Sequence, residues 1–207
     1  MAFRVVVLVS GTGTLLQSII DNLPEQVSIV AVGSDQPDAV ALQRAQAVGI
    51  PTFAEPLPRS DAQTTMRAAW DTRLTDAVAR FDPDLVVCAG FMKLLGQTFL
   101  DRFGGRTINS HPALLPSFPG IHGPRDALEY GVKITGATVF MVDAGVDTGR
   151  ILAQRAVPVL TDDTVESLHE RIKVKEREML VTVVTELAGV RPGMEELGTE
   201  SSRKDPQ

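Results

Sequence analysis

The segment FRVVVLVSGTGT, residues 3–14, decides the fold class. Its first seven residues form an apolar, β-branched run, which is typical of a strand buried on both faces of a parallel sheet. The glycine-containing stretch 10–14 interrupts this run. Apolar residues then recur at helical spacing, at Leu15, Leu16, Ile19, Ile20 and Leu23. The opening is therefore predicted to be a strand, a glycine turn and a helix.

The same unit repeats along the first half of the chain. Strands are predicted at 27–32, 50–53 and 84–89, and helices at 39–48, 60–81 and 91–103. Strands that alternate with helices indicate an α/β fold, with a mostly parallel sheet and helices on both faces.

The pattern changes after Arg106. Short strands are predicted at 107–110, 134–143 and 151–159, with a proline-rich loop after the first and a wide hairpin between the other two. This arrangement predicts a mixed or antiparallel C-terminal part. Asp163 and Glu166 fit a capping box that begins a last helix, which ends at about Leu187. Residues 191–207 are polar and lack periodicity, so we expect a mobile tail.

The composition argues against several classes of function. The chain has 207 residues, 43% of them hydrophobic and 22% charged, and a formal net charge of −6. A general nucleic-acid binder, which needs a basic face, is therefore not expected. The single cysteine, Cys88, excludes an internal disulfide and zinc sites built from two or four cysteines. No apolar run approaches the ~20 residues of a membrane helix, and no signal peptide is recognised. We expect a cytoplasmic protein that does not bind a membrane.

The glycine loop is the first candidate site. Gly11 and Gly13 follow a buried strand and begin a helix, where backbone N–H groups and the helix dipole favour a phosphate. The alternative is a tight strand-to-helix turn without a ligand. A nicotinamide cofactor is the weaker interpretation, because the dinucleotide fingerprint needs a further glycine where Leu16 stands. Asp35 lies where a ribose-binding acid is found in that fingerprint, but it also fits a turn.

The second candidate site follows the strand at 107–110. Asn109 and His111 point to the same side of an extended strand, at an edge where open α/β sheets bind ligands. An amide donor beside an imidazole is suited to stabilising an oxyanion while a proton moves. A purely structural histidine is the equal alternative. Asp143 and Asp147 are turn residues by default, although an acid near a histidine would orient the ring and stabilise its charged form.

Glu176 is the most informative single charge. It falls inside an apolar helical stripe, and a glutamate is rarely buried without a partner. It either forms a structural ion pair or faces a cleft and binds hydroxyl groups. Lys173 and Lys175 are expected to face solvent. The segment 90–95 is interpreted as a helix start, with an apolar pocket for a flat ring as the alternative. The stripe around Glu176 consists of Val165, Leu168, Ile172, Met179, Leu180, Val183 and Leu187.

Five motifs in this order resemble the folate-dependent formyltransferases, and within them the glycinamide ribonucleotide (GAR) transformylase family. They are SGTGT (10–14), AGFMKLL (89–95), INSHPALLPSFPGIHG (108–123), ITGATVFMVDAGVDTG (134–149) and RIKVKE (171–176). The resemblance runs from about Val5 to Val184. It implies a Rossmann-like fold and the transfer of a formyl group from 10-formyltetrahydrofolate to the amine of GAR in purine biosynthesis. Related tRNA formyltransferases and formyltetrahydrofolate hydrolases would need an extra domain.

The resemblance also implies the site residues. The catalytic group is Asn109, His111 and Asp147. GAR is bound by Gly13, Thr14 and Leu15 at its phosphate, and by Lys173, Val174, Lys175 and Glu176, with Glu176 on the ribose hydroxyls. The folate site is Arg67, Met92, Lys93, Leu94, Leu95, Asn109, Asp143, Ala144, Gly145, Val146 and Asp147.

The resemblance further predicts how the chain is organised. One formyltransferase domain is expected over residues 1–190, with a nucleotide-binding half (1–105), a folate and catalytic half (106–190) and a tail (191–207). The predicted partners are the two small-molecule substrates, without a metal, and the chain is a monomer or a homodimer. The family often has a cis bond at Leu115–Pro116. Three residues depart from the family pattern: Leu15 replaces a side-chain amide, Lys93 replaces an arginine and Arg150 replaces a proline.

The residues also allow other functions. A non-catalytic nucleotide-binding module would use Gly11 and Gly13 and leave 109–111 and 143–147 without a role. A dehydrogenase would use the same loop with Asp35. A formyltransferase acting on another amine is closest to the first interpretation, because only the phosphate loop, the Glu176 segment and the chain length point to GAR.

Overall fold

The protein is described from a computed structural model, which covers residues 2–57 and 63–190, with the backbone alone for 63–65. Seven strands form one sheet. The strands are β1 (Phe3–Val9), β2 (Val27–Ser34), β3 (Thr52–Ala54), β4 (Leu85–Cys88), β5 (Thr107–His111), β6 (Ile134–Met141) and β7 (Ile151–Pro158). The helices are α1 (Thr14–Asn22), α2 (Val40–Ala47), α3 (Gln63–Ala79), α4 (Gln97–Phe103), α5 (Gly123–Tyr130) and α6 (Val165–Leu187).

The strand order is β3-β2-β1-β4-β5-β6-β7. The strands β1 to β5 are parallel to one another, whereas β6 runs antiparallel to β5 and β7 antiparallel to β6. This confirms the predicted α/β class: a mostly parallel sheet continued by antiparallel strands. The strand β1 lies inside the sheet, which explains why its sequence is apolar on both faces.

The sheet separates two apolar cores. Val5, Val7 and Val9 point to the face that α1, α2 and α6 cover, and the intervening Val6 and Leu8 point to the face that α3 and α4 cover. All five side chains are fully buried. Helices therefore lie on both faces, as predicted, and the side-chain alternation of each strand determines which face a residue serves.

The helix predicted at 91–103 is wrong in its first half, because α4 begins only at Gln97. The Met92 N–H donates to the Ser10 hydroxyl at 2.8 Å, and the Gly96 N–H donates to the Asp71 carboxylate at 2.8 Å. Side chains from other elements thus hold 91–96 as an extended loop. Asp71, on α3, caps the start of α4 from outside that segment.

Two further details of the C-terminal half differ from the prediction. The cap of α6 is Thr164: its hydroxyl accepts the Ser167 N–H, and its own backbone N–H donates to the Ser167 hydroxyl. The box predicted at Asp163 and Glu166 is therefore one residue out of register. The helix α5 was not predicted, because the surrounding prolines indicate a loop, yet a proline near a helix start is favourable. The Leu115–Pro116 bond is cis. The predicted tail, 191–207, lies outside the described residues.

None of the described helices is long and apolar enough to cross a membrane.

Candidate active site

The candidate site lies at the sheet edge where the parallel strands β1, β4 and β5 end. Cys88, the last residue of β4, pairs with Asn109, so Ser110 and His111 extend beyond the neighbouring strand. The glycine loop follows β1 at this edge. The loop 142–150, which connects the antiparallel strands β6 and β7, leaves β6 beside the start of β5, and its path brings Asp147 to His111. The fold therefore brings several predicted site segments to one edge.

His111 and Asp147 meet, as predicted. Nδ1 of His111 lies 3.5 Å from a carboxylate oxygen of Asp147, and both side chains are largely buried, with 5% and 12% exposed. The other ring nitrogen, Nε2, lies 2.7 Å from the carbonyl oxygen of Phe118. Because a carbonyl only accepts hydrogen bonds, Nε2 carries the hydrogen of this contact, and Nδ1 is the ring nitrogen on the Asp147 side. A proton on Nδ1 faces the Asp147 carboxylate.

Backbone contacts hold Asp147 in this position. The Gly120 N–H donates to the same carboxylate oxygen at 2.7 Å. Asp147 adopts a left-handed backbone conformation, with φ of 54°, which is uncommon for a residue other than glycine and occurs often at functional sites. Its acceptor oxygen is therefore directed at His111 by the local chain path.

A cleft that is open to solvent lies beside this pair. Eight residues predicted for the folate site line it: Lys93, Leu94, Leu95, Asn109, Asp143, Ala144, Gly145 and Asp147. Asp143 accepts hydrogen bonds from the Gly145 N–H and the Thr148 hydroxyl, which gives the 143–148 loop its shape. The side-chain amide of Asn109 makes no hydrogen bond with any described residue and is available to a ligand.

Three predicted folate residues do not line the cleft. Met92 and Val146 are exposed. Arg67 donates to the Leu94 carbonyl oxygen and lies over the Trp70 ring, 5.0 Å from its centroid, so it supports the loop instead of forming the cleft wall.

Sequence reasoning missed three apolar residues of the cleft wall, Cys88, Phe140 and Val142, whereas Phe91 comes from the segment 90–95 that was considered as an apolar pocket. Burial raises the pKa of the Cys88 thiol to about 12, so this side chain is an apolar wall and not a nucleophile. The sequence signal that could have identified Cys88 as a cleft residue was its position at the end of β4. Phe140 lies opposite Asn109 in the sheet, a neighbour that only the strand pairing reveals.

The glycine loop has the geometry of an anion site. Gly13 is the N-cap of α1 in a left-handed conformation, with φ of 74°, and no side chain caps the helix. The first N–H groups of α1 thus remain available. The side chain of Arg44, which sequence reasoning missed, donates to the Thr12 carbonyl at 2.8 Å and brings a positive charge to the loop.

Asp35 is buried and connects two loops. It accepts hydrogen bonds from the Ser10 hydroxyl at 2.5 Å and from Gln36 at 3.0 Å. The Lys93 ammonium lies 3.5 Å from Oδ2, the oxygen that also accepts from Gln36. The position that fits a ribose-binding acid in the weaker interpretation is thus occupied by contacts within the protein.

Glu176 is buried in α6, and its carboxylate accepts a hydrogen bond from the Ser110 hydroxyl at 2.9 Å. Burial raises the pKa of this carboxyl, and the Ser110 hydrogen bond and the charges of Lys173 and Arg177 partly oppose that shift. Lys173 and Lys175 donate to Glu170 and Glu178 on the same helix. Ser110 was missed because a serine in a strand carries no signal of its own.

Residues 3–184 match the family model described as formyl transferase. The chain belongs to this family. The phosphoribosylglycinamide formyltransferase of Mycobacterium tuberculosis H37Rv is 56% identical over 189 residues, which are 89% of this chain and 85% of that protein. The enzyme of the same name from Bacillus subtilis is 37% identical over 188 residues, 89% of this chain and 94% of that protein.

Solved structures of formyl transferase family members agree. The crystal structure of glycinamide ribonucleotide transformylase 1 from Symbiobacterium toebii superposes with a TM-score of 0.84 at 40% identity, covering 91% of this chain and 88% of that one. The phosphoribosylglycinamide formyltransferase of Streptococcus pneumoniae superposes with a TM-score of 0.81 at 37% identity, covering 89% of this chain and 98% of that one.

The structure accounts for two of the three departures from the formyl transferase pattern. The Leu15 side chain is buried in the core, so only its backbone N–H is available to a phosphate. Lys93 pairs with Asp35 at 3.5 Å, a contact that an ammonium group makes without the fork of an arginine. Arg150 accepts the Met141 N–H through its backbone carbonyl, and nothing in the structure explains its side chain.

Within residues 2–57 and 63–190, no group of three or more His, Cys, Asp and Glu side chains is arranged to hold a metal ion.

Proposed function

We propose that the protein is an enzyme that transfers the formyl group of 10-formyltetrahydrofolate to the amine of GAR, giving formyl-GAR and tetrahydrofolate in purine biosynthesis. The observation that carries the proposal is the position of the His111–Asp147 pair at the sheet edge that also bears an anion-binding helix start and an apolar cleft. Membership of the formyl transferase family and the names of the most similar relatives support it.

The phosphate of GAR binds the start of α1 in this proposal. The N–H groups of Gly13, Thr14 and Leu15 are directed to an anion there, and the helix dipole adds partial positive charge. The segment 173–176, Lys173 to Glu176, forms the other side of the GAR site. Glu176 accepts the ribose hydroxyls, since a carboxylate is an acceptor for which a pair of hydroxyl donors is a good match.

The folate binds the cleft between the 92–95 loop and the 143–147 loop. The pterin ring occupies the apolar end, where Leu95 and Phe140 are buried. The glutamate tail extends toward solvent past the exposed Met92. The side chain of Arg67 holds the first loop in place.

The amine of GAR attacks the formyl carbon directly. Negative charge then develops on the formyl oxygen, where the Asn109 amide donates a hydrogen bond and the His111 imidazolium supplies positive charge. Donors placed where charge develops are worth about 10²–10³ in rate for each group removed. Asp147, whose carboxylate lies 3.5 Å from Nδ1, stabilises the positive charge of the His111 imidazolium.

The tetrahedral intermediate collapses when the bond between the formyl carbon and the folate nitrogen breaks. That nitrogen takes up a proton, and the attacking amine loses one. The number of protons on the protein is therefore the same before and after the cycle. The Asp147 carboxylate is the base closest to the reacting atoms, and water can complete the transfer. No covalent bond to the enzyme is required.

An absorbance assay tests the proposal, with purified protein, 10-formyltetrahydrofolate and GAR. We expect deformylation of the folate only when GAR is present, and a fall of about 10²–10³ in kcat for Asn109→Ala and for His111→Ala. Turnover without GAR would show a hydrolase. Turnover with a different amine in place of GAR would identify another acceptor. A His111→Ala variant with near-full activity would disprove the mechanism.

A further inference from the structure

Ser110 and Glu176 form a buried polar contact between the central sheet and α6. The Ser110 hydroxyl donates to Oε1 of Glu176 at 2.9 Å, and the two residues are 8% and 3% exposed. They are far apart in the sequence, so the tertiary fold alone creates the contact. Each comes from a region of the proposed site: Ser110 from the strand that carries the catalytic pair, and Glu176 from the GAR segment.

Strand alternation gives Ser110 a different role from its two neighbours. Asn109 lines the cleft, on the face that also holds Phe140. Ser110 points to the opposite face, because its cross-strand partner Val139 belongs to the core that α6 covers. The strand β5 therefore presents its catalytic side chains to one substrate cleft and its serine to the helix of the other.

The surroundings of Glu176 make this contact necessary. Its neighbours on the helix face, Ile172, Met179 and Leu180, are fully buried and apolar. A carboxylate in such surroundings is costly unless it accepts hydrogen bonds. The other charged groups that act on it, Lys173 and Arg177, stand on its own helix, and Ser110 is the polar group that the sheet supplies.

One oxygen of this carboxylate remains available. Ser110 donates to Oε1, and Oε2 makes no hydrogen bond with the described residues. A hydroxyl donor on Oε1 favours the ionised carboxylate and fixes the rotation of the carboxyl plane. The direction in which Oε2 accepts hydrogen bonds is then also fixed. An oriented acceptor is what two adjacent ribose hydroxyls require.

We propose that Ser110 is a positioning residue that orients Glu176 and so holds the ribose of GAR in a fixed position relative to Asn109 and His111. The inference rests on the proposed function. Because Ser110 lies between the two catalytic residues in the same strand, one rigid element sets the distance between the ribose-binding carboxylate and the oxyanion donors. Small errors in such distances reduce the rate strongly.

The test compares Ser110→Ala, Ser110→Thr, Glu176→Gln and the double variant Ser110→Ala with Glu176→Gln. We expect Ser110→Ala to raise the KM for GAR about tenfold or more, as for loss of a hydrogen bond to a charged group, with the KM for the folate within about twofold. Ser110→Thr keeps the hydroxyl, so its KM values for GAR and for the folate should both stay within about threefold of the wild-type values. In the Glu176→Gln background, Ser110→Ala should raise the KM for GAR by less than a further factor of about two.

Thr135→Val is the matched control. The Thr135 hydroxyl is buried on the same face of the sheet as Ser110 but has no hydrogen-bond partner among the described residues. Its removal should leave both KM values unchanged. A wild-type KM for GAR in Ser110→Ala, or a full and independent penalty in the double variant, would overturn the inference.

A substrate-free measurement keeps the outcome separate from the proposed function. The pKa of the Glu176 carboxyl, followed by NMR of carboxyl-labelled glutamate, should rise in Ser110→Ala and not in Ser110→Thr. No rise would overturn the inference even if the wild type uses GAR. Failure of the wild type to use GAR would instead refute the proposed function, and the titration would still decide whether Ser110 controls this carboxylate.

Discussion

Asp147→Asn removes the negative charge beside His111 and little else. Asparagine has nearly the same shape, still accepts the Gly120 N–H through its amide oxygen, and tolerates the left-handed conformation that Asp147 adopts, with φ of 54°. The variant therefore tests the charge and not the fold. In the proposed mechanism, that charge stabilises the His111 imidazolium when the oxyanion forms.

The size of the effect follows from the distance. Two unit charges 3.5 Å apart attract each other by about 5 kcal/mol at an effective dielectric constant of ~20. Solvent at the partly exposed Asp147 reduces this value, and we use about 3–4 kcal/mol. Each 1.36 kcal/mol corresponds to about tenfold in rate. We therefore expect kcat to fall by about 10²–10³ in Asp147→Asn.

The assay is the GAR-dependent deformylation of the folate at saturating substrates, with the Tm of each variant as a measure of folding. Asp84→Asn is the control. Asp84 accepts the Arg4 N–H at the opposite end of the sheet, so its loss should leave kcat unchanged. An Asp147→Asn enzyme within about threefold of the wild-type kcat, with a wild-type Tm, would refute the electrostatic role of Asp147.

Three further variants test other contacts. Gly13→Ala should raise the KM for GAR and lower the Tm, because a left-handed alanine costs about 1–2 kcal/mol and its methyl group would lie 2.6 Å from a side-chain carbon of α2; an unchanged KM would contradict the phosphate assignment. Asp163→Asn should lower the Tm at pH 7, because the hydrogen bond from Arg171 lowers the pKa of Asp163 from 3.8 to about 2. The Tm difference between variant and wild type should vanish as the pH falls from about 4 to about 2. A difference that does not change with pH would exclude the ion pair as its cause. Asp35→Asn should raise the KM for the folate about three- to tenfold, since it removes the charge that holds Lys93 in the folate loop; a rise confined to the KM for GAR would show that this loop does not depend on Asp35.

The fold was predictable where local patterns decide the structure. The apolar run of β1, the glycine loop and the α1 periodicity occur within one short segment, and they were enough to predict the parallel sheet. The start of α4 was not predictable, because Asp71 caps it from α3 and the Ser10 hydroxyl holds Met92 in a loop. Such contacts exist only once the chain has folded.

The candidate site was likewise predictable only where local sequence patterns indicate it. Asn109 and His111 were recognised from their position at a strand end, and the motif resemblance added Asp147. That the Asp147 carboxylate reaches His111 depends on the path of two loops, which the sequence does not state. Ser110 was overlooked because its partner, Glu176, comes from a helix far along the chain. Serine alone in a strand has no pattern that indicates a function.

The most direct test of the central claim follows the formyl carbon itself. The enzyme is mixed with 10-formyltetrahydrofolate that carries ¹³C in the formyl group, together with GAR, and the products are observed by NMR. The account predicts that the label appears in a formamide on the GAR nitrogen, in amounts equal to the tetrahydrofolate formed. Label recovered as free formate, with GAR unchanged, would contradict the account.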